Sequence, residues 1–84
     1  MSKLTLINSL DRLKELASEE DGVGCYIRLG VARSSKNMWY HERDDLWSVH
    51  NEIDDTFQGE LTTKELGEKT NIIHAIEKQS LFLY

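Results

Sequence analysis

The spacing of apolar residues changes period along this 84-residue chain. From residue 3 to 18 it is helical. Leu6, Leu10, Leu13 and Ala17 fall at i, i+4, i+7 and i+11, and Ile7 and Leu16 widen the stripe. This predicts an amphipathic helix capped by Ser2. The acids and glycines of "SEEDGVG" end it; acids oppose the dipole at a helix C-terminus, so that end is expected to fray. Residues 23–31, "VGCYIRLGV", switch to period two. Val23, Cys25, Ile27, Leu29 and Val31 point one way, and Gly24, Tyr26, Arg28 and Gly30 the other. That is a strand with one buried face.

Residues 36–42, "KNMWYHE", and 46–53, "LWSVHNEI", flank "RDD" and are rich in aromatic and β-branched residues, which predicts a β-hairpin with a polar turn. On the second strand Trp47, Val49 and Ile53 share a face that Asn51 interrupts. On the first, either Met38 and Tyr40 or Trp39 and His41 face inward, and alternation does not choose between them. Arg33 to Lys36 then form a connection before the hairpin. "DDTFQGE" reads as a loop. "LTTKELGEK" carries a capping box, Thr62 with Glu65, and predicts a short helix stopping near Gly67. Thr70 caps a second helix, "NIIHAIEKQ", with Ile72, Ile73 and Ile76 as its apolar side. "SLFLY" closes the chain as a strand, either at a sheet edge open to strand addition or in the sheet centre, where Leu81 and Leu83 are better buried. The order α-β-β-β-α-α-β predicts an α+β fold. Residues 1–84 form one small two-layer domain, an antiparallel sheet of about four strands with helices on one face. The helices pack on the odd-numbered side of 23–31.

Composition narrows the function classes. The chain has 15 acids, 10 bases and a net charge of −5, which disfavours general attraction to nucleic acid or anionic lipid. The single cysteine, Cys25, allows no intramolecular disulfide. The N-terminal residues do not read as a signal peptide, and no apolar run approaches the ~20 residues that span a bilayer. A reducing cytoplasm is the expected location. With no proline and no linker-like tract, Gly, Asn and Asp mark the breaks.

The stretches "ARSSK", "HNEIDD", "LTTKEL" and "TNIIHAIEK", in this order, resemble a set of small, uncharacterised proteins from low-GC Gram-positive bacteria and their phages. The resemblance runs from about Gly22 onward. It implies a prokaryotic or phage cytoplasmic protein and transfers no catalytic residue.

Several side-chain groups could carry chemistry. Arg33, Ser34, Ser35 and Lys36 combine hydroxyls with a planar guanidinium and a point charge, which suits an anion or an acidic partner. The alternative is a solvated turn. Glu52, Asp54 and Asp55 suit a polar strand end pairing with Arg33, Lys36 or Arg43. His41, His50 and His74 fall on separate elements without metal-ligand spacing, and no metal or cofactor is implied. Cys25 shares its face with Val23, Ile27 and Leu29, which predicts a buried, inert thiol. If Trp39 or Trp47 faces out beside Tyr26 and Arg28, the sheet presents an aromatic-basic surface of the kind that dominates protein contacts or stacks bases.

These features lead to a small non-enzymatic binding protein, an accessory or inhibitor of a protein partner. Its contact residues are expected to be Arg28, Arg33, Ser34, Ser35, Lys36 and Trp39. It is expected to be a monomer or weak homodimer with no membrane role. Two alternatives are a nucleic-acid binder using the same basic-aromatic surface, and a small hydrolase or ligand enzyme using Cys25 or a histidine.

Overall fold

A computed structural model describes residues 5–83. The described elements are β1 (Thr5–Leu6), α1 (Leu10–Ala17), β2 (Val23–Leu29), β3 (Ala32–His41), β4 (Leu46–Asn51), β5 (Thr56–Leu61), α2 (Thr63–Lys69), α3 (Ile72–Glu77) and β6 (Leu81–Leu83). The fold is α+β. Its sheet has six strands rather than about four, in the order β1-β6-β2-β3-β4-β5, and every pairing among the described residues is antiparallel.

Both additional strands come from segments whose sequence points elsewhere. The expected helix over 3–18 is divided: Thr5–Leu6 pairs with β6, and the helix starts only after Ser9. Ser9 is extended, and its hydroxyl accepts the N–H of Arg12, so it takes the capping role given to Ser2. Ser2 lies outside the described residues. Leu6 fitted the helical stripe because a two-residue strand is too short to reveal its own period. β5 replaces the expected "DDTFQGE" loop. Only Leu61 of its six residues is buried, so the strand has almost no apolar signature. Backbone pairing to β4 holds it in place. An irregularity opposite Trp47 and Val49 contains Glu60 at φ +57°, and this extra residue returns Leu61 to the inner face.

β2 to β5 form a meander. α2 and α3 then carry the chain back across one face, so that β6 enters between β1 and β2. β6 is therefore flanked on both sides and is not an edge. The inner face buries Val23, Cys25, Ile27, Met38, Trp47 and Val49 against Leu13, Ala17, Leu66, Ile72 and Ala75. Val31 and Ile53 were expected inside, but they sit in the tight connections beyond β2 and β4 and are 98% and 64% exposed.

The capping box is present as the sequence predicts: Thr62 Oγ1 accepts from Glu65, and Glu65 accepts from the Thr62 N–H. α2 runs through Gly67 to Lys69 instead of stopping there. Thr70 Oγ1 accepts the N–H of Ile72 and donates to the Leu66 carbonyl, joining the two helices. At the end of α3, Ser80 N–H donates to Ala75 O and Gln79 N–H to Ile76 O. Gln79 occupies the left-handed position at φ +56° that completes this helix stop.

Candidate functional site

Strand alternation divides the Arg33–Lys36 segment. It is not a connection before the hairpin but the first half of β3, and the chain turns earlier, at Gly30 and Val31. Ser34 and Lys36 face the helices, because they pair with Ile27 and Cys25. Arg33 and Ser35 lie on the opposite, uncovered face, where they pair with Arg28 and Tyr26. Arg33 donates to the Gly30 carbonyl at 2.7 Å. The four residues therefore cannot close on one anion. Two separate surfaces result.

The first is the uncovered sheet face. The register aligns Leu6, Phe82 and Tyr26 across three strands, so three large side chains form one cross-sheet row ending at Ser35. Trp39 lies on this side of β3, and Trp47 on the other. Trp47 is fully buried, its Nε1–H donates to Thr63 Oγ1 at 3.0 Å, and its ring centroid lies 4.6 Å from that of Tyr40. Trp39 is half-buried because its indole lies against Gly22: a Cβ there would sit 2.7 Å from Trp39 Cδ1 and Nε1. Phe57 stands beside His50 on the edge strand and is 63% exposed.

The polar rim of this face carries both signs. Arg28 and Arg33 are directly opposed and exposed near the β2–β3 turn. Asn37 donates to Glu52 Oε1 at 2.6 Å, and His50 Nε2 lies 2.7 Å from Asp55 Oδ1. These contacts bind the acidic cluster to the sheet through Asn37 and His50. Asp54, the third acid, accepts from the N–H and hydroxyl of Thr56, which hold its carboxyl below the usual range.

The second surface is a cavity of about 200 Å³ on the helix side, between β3–β5 and the α2–α3 junction. One inner row of the sheet reads Cys25, Lys36, Asn51, Thr56 from centre to edge. Lys36 is only 9% exposed. Burial lowers the pKa of its ammonium, and the negative charge of Asp54 partly opposes that shift. Lys69 and Thr70 line the helical side. The sequence pointed to Lys36 and to Asp54 as an acid that could pair with it, and to none of the other residues lining the cavity. The available signal was Asn51, a polar residue breaking the inward stripe of β4.

Cys25 is fully buried, and burial pushes its thiol up to about 12. It faces the helices, whereas His41 and His50 occupy the uncovered side, with His41 Nε2 3.0 Å from Ser48 Oγ. The sheet itself separates the thiol from both bases, so a Cys25–His41 or Cys25–His50 nucleophile pair has no geometry here. No helix among the described residues is long and apolar enough to cross a membrane.

No protein-family model, curated protein or solved structure matches the chain.

Proposed function

We propose that this chain is a small non-enzymatic binding protein, of bacterial or phage origin, that presents its uncovered sheet face to a protein partner. One observation carries this reading: the Leu6–Phe82–Tyr26 row lies on the sheet face opposite the helices, and Trp39 and Phe57 stand farther along the same face. Large aromatics with an arginine rim are the side chains that concentrate binding energy in protein contacts. Arg28 and Arg33 serve as the charged end of that contact. Ser34 and Lys36 leave the contact set, because they face the helices.

The same aromatics would suit stacked bases. The held carboxylates of Glu52 and Asp55 at the rim of this face repel a phosphate backbone and favour protein.

The test is quantitative affinity capture from the native host by the wild-type chain and by two exposed-residue variants, Phe57→Ser and Arg28→Glu. Circular dichroism first verifies the fold of both. One protein retained by the wild type and depleted at least tenfold by either variant supports the reading. Equal retention by all three chains, or no specific protein, overturns it. Binding to single-stranded DNA or RNA that falls steeply with salt would replace it with the nucleic-acid reading.

A further inference from the structure

The cavity beside Lys36 raises a separate question: why does an ammonium occupy an inward strand position between Cys25 and Asn51? Taking a charge out of water without a partner is costly. A methionine would fill the same length of strand interior at no such cost. Among the described residues the Lys36 side chain makes no hydrogen bond and no ion pair, and the carboxylate of Asp54 acts on it only through space. Both Thr56 contacts already engage Asp54 Oδ1. No buried side-chain nitrogen or oxygen is left both sealed from solvent and without a partner. The Lys36 ammonium therefore opens into the cavity it lines.

We propose that this cavity is a binding site for a small oxyanion, a phosphate or a carboxylate, with Lys36 as its principal ligand. A second cation, Lys69, lines it from α2, where it is 3.5 Å from Glu65. Asn51 accepts the Ile53 N–H through Oδ1, which leaves its NH₂ end as a donor, and Gln58 adds a second amide. Asp54 on the lining and Glu65 beside Lys69 offset the two lysines, so the pull on an anion rests on Lys36, whose ammonium makes no ion pair among the described residues. A volume of about 200 Å³ holds roughly six waters at ~30 Å³ each. That suits a phosphate or short carboxylate and is small for a nucleotide. The anion restores to Lys36 the partner that the protein withholds, so binding stabilises the fold by mass action. The site lies on the opposite side of the sheet from the proposed partner face and does not depend on it.

The experiment follows thermal unfolding and isothermal titration of the wild type, Lys36→Met, Lys69→Gln and Lys64→Gln. Inorganic phosphate, acetate and chloride are compared at matched ionic strength. Lys64 is exposed on α2 and does not line the cavity, so it reports general charge effects. Phosphate also stabilises folds by exclusion from their surfaces, and that effect does not saturate and survives every substitution. The expected result is a saturable rise in unfolding temperature with phosphate or acetate, absent with chloride. Affinity falls at least tenfold in Lys36→Met, falls less in Lys69→Gln and is unchanged in Lys64→Gln. The stronger of phosphate and acetate identifies the source of the oxyanion. Lys36→Met keeps the side-chain length and removes a buried charge, so it is expected to fold. Should it not, retained binding by Lys69→Gln at wild-type strength decides against the site. No saturable effect of either oxyanion on the wild type, or an equal effect on Lys36→Met, overturns the proposal.

Discussion

Cys25 offers a sharp test of the packing, because burial makes its thiol a pH-dependent load on the fold. The residue is 0% exposed in the centre of the inner face, and its pKa rises from 9.0 to about 12. Between those values the unfolded chain releases the thiol proton while the native chain keeps it. The native state then binds more protons, so stability falls as pH rises. Well below pH 9 there is almost no loss; at pH 10 it is about 1 kcal/mol, at pH 11 about 3, and above 12 it levels at about 4. A domain of this length has roughly 4–13 kcal/mol in total, so the loss is large. Tyr40, raised to about 12 by its hydrogen bond to Asp45, acts in the same direction, and Lys36 acts in the opposite one. Both cancel in a comparison with Cys25→Ala. Removing the buried sulfur costs about 1 kcal/mol at pH 8. Urea unfolding of the two proteins from pH 8 to 11.5 should therefore show the wild type ahead at first, the two equal near pH 10, and the variant ahead by 1–2 kcal/mol at pH 11. In the native state at pH 8 the same shift lowers the thiolate fraction by about 1000-fold before steric exclusion is counted, so thiol reagents should react only through opening. Parallel stability curves, or native labelling within tenfold of a free thiol, would refute the burial argument.

Three further substitutions probe local devices. Gln79→Gly relieves the left-handed backbone at φ +56° and removes only an exposed side chain. The strain of about 1–2 kcal/mol outweighs the entropic cost of glycine. A net gain of about 0.5–1 kcal/mol should raise the unfolding temperature by a few degrees in calorimetry. Gly22→Ala places a Cβ 2.7 Å from the Trp39 indole at φ +68°. It should cost about 2–4 kcal/mol in denaturant unfolding and shift Trp39 fluorescence to the red. Thr62→Ala breaks both halves of the capping box and should cost about 1 kcal/mol, with faster amide exchange confined to the first turn of α2.

Much of the fold follows from local pattern. The alternation of 23–31 places Val23, Cys25 and Ile27 inside and Tyr26 and Arg28 outside. The aromatic-rich segments form the hairpin. Thr62 and Glu65 mark the start of α2 through hydrogen bonds that span three residues. These features rest on interactions between near neighbours or on a period that repeats often enough to be read. Where the sequence misled, the pattern was short or weak. Leu6 satisfied a helical stripe while belonging to a two-residue strand, and β5 buries only Leu61. Both strands exist because a neighbouring strand supplies their hydrogen bonds, and that neighbour is distant in sequence or across a turn.

The candidate surfaces divide in the same way. Tyr26, Arg28 and Trp39 were legible as sheet residues, whereas Arg33 was read as part of a connection, and which tryptophan faced out was open until cross-strand register paired Met38 with Val49 and Tyr40 with Trp47. A one-residue slip would have exchanged every side chain between the two faces. Register also separated Lys36 from Arg33 and set it beside Asn51. The return of the chain over the sheet then brought Lys69 and Thr70 to the same cavity. The sequence by itself determined the strands with a repeated period and the helices with local caps, because periodicity and capping are local, but not β1, β5 or the first half of β3. Only the tertiary structure decided which charges meet, because pairing partners and sheet faces are set by contacts between residues far apart in the chain.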